Sequence, residues 1–206
     1  TGGSRSYIPK ITARYQDRIH LCSPVRNIVR EPDGLRVMTD VDQGIFDHVV
    51  AACHADQALA LLDAPTDAET RVLENLPFID NQVVLHTDIR ILPRTPKAWA
   101  SWNYNVSADH TDRTTLTYNM NILQQLDLPA TCLVTLNQEI AAQQVVQHFT
   151  YAHPAYTPAT ITAQQQWDRI SGSGGLHFCG AYWFNGFHED GVKSALRVCA
   201  ALGVTP

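Results

Sequence analysis

A chain of 206 residues that is 45% hydrophobic can bury one good-sized core or two smaller ones. Its formal charge of -5 comes from acids and bases scattered along the chain, which argues against a nucleic-acid surface or an anionic-membrane patch. No apolar stretch approaches bilayer-spanning length and the opening TGGSRSYIPKI lacks the apolar core of a signal peptide, so a soluble, cytoplasmic protein is expected.

Gly2 and Gly3 mark a tight loop, and Ser4 followed by Tyr7, Ile8, Ile11 and Tyr15 suggests an opening helix with Pro9 in its first turn. Residues 19–22, 25–30, 35–39 and 48–52 are β-rich runs, separated in part by the turns Glu31-Pro32-Asp33-Gly34 and Asp42-Gln43-Gly44. The Pro-Asp-Gly turn predicts that the middle pair is a hairpin. Val49 to Ala52 is short and continuously apolar, as a strand buried on both faces would be, and it feeds a helix over 55–62. A second helix over 67–76 ends before Pro77 and completes an αα hairpin.

From Gln82 the texture changes to strands, at 83–87, 98–104, 114–119 and 133–136, with a further strand over 145–151. This region predicts an antiparallel or mixed sheet. A helix over 160–170 stops at Ser171-Gly172-Ser173-Gly174-Gly175. The chain then closes with a strand, a turn and a helix: Leu176, Phe178 and Cys179 form an apolar run and Gly180 breaks it. His188, Glu189, Asp190 and Gly191 lead into a helix patterned by Val192, Ala195, Leu196, Cys199 and Leu202. Amides at such a helix start are unpaired donors with partial positive charge, suited to a phosphate or an acceptor-rich ring edge. The same stretch also reads as a plain C-terminal strand–helix unit. The expected class is α+β, with no repeat or linker dividing the chain.

The five cysteines are odd in number, widely spaced and mostly set in apolar runs, which predicts free thiols in a reducing compartment. None of the nine histidines pairs with another at a metal-ligand spacing, so no metal site is expected. No G-x-S-x-G elbow occurs, which argues against a serine hydrolase. A G-x-G-x-x-G turn is also absent: Gly172, Gly174 and Gly175 follow a helix, where the dinucleotide fingerprint must follow a strand.

Several segments in order along the chain resemble the flavin-containing amine oxidase superfamily, within it a bacterial group of FAD-dependent oxidoreductases (NAD/FAD-binding proteins). They are GGSRSYI (2–8), SPVRNI (23–28), VVAACHADQALALL (49–62), WNYN (102–105), TYNMNILQQL (117–126), YAHPAYT (151–157) and CGAYWFNGFHEDGVKSAL (179–196). The resemblance covers only the C-terminal portion of such a protein. It implies FAD-domain elements at 1–62 and 175–206, a substrate-domain sheet with helices at 63–174, and a missing N-terminal half carrying the ADP-binding βαβ unit.

The resemblance also assigns cofactor-binding roles. Val25 would pair with adenine through its backbone. Ala52 and Cys53, with Ala51 and His54, would pass near the FAD pyrophosphate, where small residues permit close approach. Gly180 would let the backbone approach the ribityl chain, with Ala181 where related enzymes place an acid. Glu189, Asp190, Gly191 and Val192 would lie beneath the flavin pyrimidine ring, with the Gly191 and Val192 amides as donors. Glu189 and Asp190 read equally as favourable first-turn acids.

The implied chemistry is oxidation of an amine or lipid-like small molecule by hydride transfer to flavin N5. Substrate-binding candidates are Trp102, Tyr118, Asn119, Tyr182 and Trp183, with Tyr104, Asn121, Gln124 and His153 beside them; each also reads as a sheet or core residue. Related amine oxidases commonly use a lysine near N5, and neither Lys10, Lys97 nor Lys193 fills that place, so the catalytic residues are left unassigned. Alone, the chain is expected to be inactive and not to retain FAD, with an exposed docking face that can drive homo-oligomer formation. The alternative is a non-catalytic binding or structural domain that keeps the shape without FAD.

Overall fold

The computed structural model describes residues 4–106 and 115–204. The expected Gly2-Gly3 loop and the start of the strand over 114–119 lie outside the described residues. The chain separates into two units, Thr1–Pro77 with Tyr156–Pro206, and Phe78–Ala155. The first unit therefore takes in residues 63–77 and 156–174, which the resemblance assigns to the substrate sheet.

In the first unit a 3-10 turn at Ser4–Tyr7 leads into α1 (Ile8–Thr12), with Pro9 in its first turn. The helix is shorter than expected and buries none of its residues. No strand forms over 19–22: Leu21 is exposed and Cys22 takes a left-handed conformation, which ends an extended run. β1 (Val25–Glu31) and β2 (Gly34–Thr39) then form the expected antiparallel hairpin, with Glu31 opposite Gly34 across the Pro32-Asp33 turn. An unexpected strand, β3 (Gln43–Phe46), adds to β2. Its turn comes earlier than predicted, because the Thr39 hydroxyl accepts from the Asp42 N–H at 3.0 Å and donates to the Asp42 carbonyl at 3.0 Å.

β4 (Val49–Ala51) follows, and Val50 is 42% exposed, so the strand is not covered on both faces as expected. α2 (Ala55–Leu61) and α3 (Asp67–Leu73) form the αα hairpin. α3 starts at a capping box: the Thr66 hydroxyl accepts from the Glu69 N–H at 3.2 Å, and Glu69 Oε2 accepts from the Thr66 N–H at 2.8 Å. Glu69 is 1% exposed, and its other carboxylate oxygen pairs with Arg30 of β1. Arg30 also donates to the Ala64 carbonyl at 3.3 Å, so one guanidinium fixes the hairpin to the helix pair.

The second unit is an antiparallel sheet of β5 (Phe78–His86), β6 (Trp102–Asn105), β7 (Thr115–Asn119), β8 (Leu133–Leu136) and β9 (Val145–Pro154), in the spatial order β6-β7-β8-β5-β9. β5 begins earlier than predicted, and residues 98–101 stay out of β6 because a 3-10 turn at Pro96–Ala98 precedes it. The short α4 (Met120–Leu123) is capped by Asn119. Buried polar groups cross the sheet: His86 Nδ1 accepts from the Asp88 N–H at 3.1 Å, which puts the ring proton on Nε2, facing Thr135 Oγ1 at 2.8 Å. Thr135 in turn meets Thr117 Oγ1 at 2.9 Å.

Returning to the first unit, the expected helix over 160–170 is broken into α5 (Pro158–Gln164) and α6 (Trp167–Ile170). The break separates two aims. Gln164 Nε2 donates to the carbonyls of Tyr182 at 2.8 Å and Phe184 at 2.6 Å, while the Trp167 indole donates to the Phe178 carbonyl at 2.8 Å. β10 (Leu176–Phe178) pairs parallel with β4, Leu176 opposite Val49, and α7 (His188–Ala201) closes the described chain. α7 buries Asp190, Ser194 and Val198 rather than the predicted face, since Asp190 and Ser194 both bond the backbone of the preceding turn; Val192 and Leu196 are exposed. No helix among the described residues is long and apolar enough to cross a membrane.

Two outcomes follow. Glu69→Ala strands the Arg30 guanidinium and removes half of the capping box, and a urea titration should show a loss of about 2–3 kcal/mol. His86 is fully buried, and burial, partly offset by Asp88, lowers its affinity for protons below the ordinary value of 6.5. The unfolded chain then binds that proton more readily, so stability is complete above about pH 6.5 and falls as the pH drops below it. His86→Gln should flatten this difference between urea midpoints at pH 8 and pH 5.

Candidate functional site

The first unit brings the expected cofactor segments together around parallel β4 and β10. Open α/β sheets bind ligands beyond the carboxyl ends of such strands. β4 runs into Ala52 and Cys53, and β10 runs into Cys179 and Gly180. The Cys179 N–H donates to the Ala51 carbonyl at 3.1 Å, which extends the pairing one step past the strands. Beside β4 lies a cavity of about 610 Å³, bounded by Val25, Ile28, Val50, Ala52, Cys53 and Leu61 among others. Its size falls in the range of small-molecule sites, and its lining is mainly apolar, with Arg26 and Gln57 as its polar side chains. Val25, Ala52 and Cys53 thus share one concavity.

The turn after β10 shows what its glycine is for. Gly180 has a φ of 156°, and a Cβ there would lie 2.3 Å from the Tyr182 ring. Its N–H donates to Ser194 Oγ at 2.8 Å. Tyr182 and Trp183 are buried with ring centroids 5.4 Å apart, and burial pushes the Tyr182 phenol above its usual range. Burial also raises the thiols of Cys53 and Cys179, which argues against either as a nucleophile at neutral pH.

At the start of α7 the expectation needs correction. The helix begins at His188, and the Gly191 N–H is used internally, bonding the Phe187 carbonyl at 3.2 Å. Gly191 and Val192 sit past the first turn of the helix, so the amides that helix geometry leaves without an internal carbonyl are those of His188 and Glu189. Asp190 is buried, and its carboxylate accepts from the N–H groups of Asn185 at 3.2 Å and Phe187 at 3.0 Å. It is a structural cap, and Glu189 is the exposed acid of the pair.

The substrate-binding candidates divide between the units: Tyr182 and Trp183 belong to the first, Trp102, Tyr118 and Asn119 to the second. Trp102 and Tyr118 are cross-strand partners in an edge-to-face contact with centroids 5.6 Å apart. Asn119 is buried and caps α4 by accepting from the Ile122 N–H at 3.3 Å. Asn121 holds the following loop, donating to the Ala130 carbonyl at 3.1 Å and accepting from the Cys132 N–H at 2.7 Å. Tyr104 and Gln124 are exposed, and His153 Nδ1 meets Asn81 Nδ2 at 3.1 Å. Lys193 lies 3.9 Å from Asp190, and Lys10 and Lys97 are exposed.

Gln164 and Ser194 escaped the sequence reading although both set the turn around Gly180. Nothing in the run Gln164-Gln165-Gln166 singles out the one that reaches across. For Ser194 a signal exists: Asp190, Ser194 and Val198 recur every fourth residue, a stripe that a search for apolar residues alone passes over. Among the described residues no group of three or more metal-ligating side chains comes together.

β4 and β10 thus form a parallel α/β element with the cavity beside β4. Residues 1–91 match the family described as flavin containing amine oxidoreductase. The fold agrees along nearly the whole chain. It is similar to cyclohexylamine oxidase from Brevibacterium oxydans IH-35A, with a TM-score of 0.66 at 14% identity, over 98% of this chain and 52% of that one. Putrescine oxidase bound to putrescine gives 0.64 at 14% identity over 98% and 53%. A CLA-producing fatty acid isomerase from P. acnes gives 0.63 at 12% over 88% and 48%. The chain spans about half the length of these solved structures. No curated protein matches its sequence.

Gly180→Ala should lower thermal stability by several degrees or prevent folding, because the buried Tyr182 ring has nowhere to go. The same change in a Tyr182→Ala background should cost much less; equal losses in both backgrounds, read by calorimetry, would show that the ring contact is not the cause.

Proposed function

We propose that this chain supplies one wall of the cofactor site and the substrate sheet of an FAD-dependent oxidoreductase of the amine oxidase type. The observation that carries the reading is the apolar cavity where Val25, Ala52 and Cys53 converge, within the stretch that matches a flavin-containing family. FAD, when bound, accepts a hydride at N5 from the substrate and is reoxidised by oxygen or another acceptor. The chain's own residues bind and orient. Val25 offers backbone donor and acceptor groups to adenine, and the small side chains of Ala52 and Cys53 leave room for the pyrophosphate.

At the other end of the site, the free amides of His188 and Glu189 and the positive end of α7 favour negative charge on a carbonyl-bearing ring edge. Gly180, whose N–H is held by Ser194, and Ala181 form the backbone wall between the two, in a turn that Gln164 holds at Tyr182 and Phe184. Trp102 and Tyr118 offer an aromatic surface to an amine or lipid-like substrate, with Tyr182 and Trp183 shaping the turn from behind. The remaining half of the protein is the partner that completes the dinucleotide site, and without it the chain neither retains FAD nor turns over substrate.

In the longer protein that contains this chain, Ala52→Trp fills the cavity from an exposed position. It should cut flavin content at least about tenfold, read from the absorbance of released flavin, with unchanged circular dichroism. Full flavin content in that variant would overturn the reading. Steady-state oxidation by the isolated chain with added FAD would contradict its predicted inactivity.

A further inference from the structure

We propose that the outer edge of β9 is a self-association surface, across which β9 of a second copy of this chain adds antiparallel to continue the sheet. The inference does not rest on the cofactor reading. β9 is the last strand in the order β6-β7-β8-β5-β9, and among the described residues no strand pairs with its other side.

The direction of its backbone groups follows from one neighbour. Gln82, opposite Thr150, accepts from the Asn137 N–H at 2.8 Å and donates its own N–H to Asn137 Oδ1 at 3.1 Å. The backbone polar groups of Gln82 therefore point to the β8 side, away from β9. Antiparallel alternation makes Gln82 and Thr150 a non-hydrogen-bonded pair, so the N–H and C=O of Thr150 point outward, with those of His148 and Ala152. These are a ready template for another strand.

Exposed edges are ordinarily blunted by lysine, proline, inward charges or a very short strand. None of these interrupts β9 before its last residue. It runs for 10 residues as VVQHFTYAHP, without Lys, Arg, Asp or Glu, and its one proline is the final residue. Val146 is 64% exposed and Tyr151 51% exposed, so apolar surface accompanies the open backbone. The only guard is a register shift opposite Leu85 and His86, at the strand's start. The chemistry of the edge selects its occupant. A strand with no formally charged residue offers a basic or acidic peptide no counter-charge, whereas an identical strand matches it in neutrality, length and β-forming side chains.

Sedimentation velocity on the chain, at low- and high-micromolar concentration, is expected to show a monomer–dimer equilibrium, with slower amide exchange in β9 at the higher concentration. Thr150→Pro removes an outward donor while leaving the β5 bonds in place, and Val146→Lys adds a charge at an exposed position. Each should weaken the dimer at least about tenfold without moving the thermal midpoint of the monomer. A monomer at all concentrations overturns the proposal, as does a dimer that survives both variants. If the longer protein is monomeric with its β9 amides protected, a strand from the rest of that protein is the occupant, and the proposal also fails.

Discussion

The first unit depends on a carboxylate that is taken almost wholly out of water. Glu69 uses one oxygen to close the N-terminus of α3 and the other to hold Arg30, so its charge is fully partnered. A buried acid without both partners would cost more than the packing around it returns. With both, it fixes the hairpin of β1 and β2 against the helix pair, and this sets one wall of the cavity beside β4. Val25 lies at the start of the same strand that carries Arg30, so the placement of the cavity's rim and the satisfaction of Glu69 are one problem. The pair Arg26 with Asp40, although it makes two parallel bonds, has no comparable hold because both side chains are more than half exposed and water competes with them.

A similar logic of satisfied polar atoms governs the turn after β10. The backbone from Phe178 to Phe184 leaves the strand and makes one short 3-10 turn at Ala181–Trp183, so several of its amides and carbonyls need outside partners. Trp167, Gln164 and Ser194 provide them, from three helices, and Asp190 does the same for the amides of Asn185 and Phe187 just beyond. The turn is rigid because its backbone is answered by side chains, and the buried Tyr182 ring occupies the space that any residue but glycine at 180 would need. This short turn is thus held by side chains from outside it.

Much of this was legible in the sequence. The hairpin turn at Pro32-Asp33, the strand at Leu133–Leu136 and the closing strand-turn-helix all carry local signals, and the structure places them where those signals lie. The failures at the later helices share a cause: the deciding contact was distant in sequence. α5 and α6 are separate because Gln164 and Trp167 answer to carbonyls beyond residue 177. α7 turns a stripe containing Asp190 and Ser194 inward because the preceding turn needs acceptors. Leu21 and Cys22 form no strand because Cys22 takes a left-handed conformation, which no residue type in the run announces.

β4 and β10 pair across the whole of the second unit, since Val49 meets Leu176 with residues 78–155 between them. Closing that contact carries the loop entropy of a long chain segment, and contacts of such separation form late. The order of assembly follows. The antiparallel sheet, continuous in sequence, can fold as soon as it leaves the ribosome, while β4 waits with an open edge until residues 156–178 are made. During synthesis the chain therefore passes through a stage with one finished unit and one unfinished, and the cavity beside β4 gains its full support only when the last strand arrives.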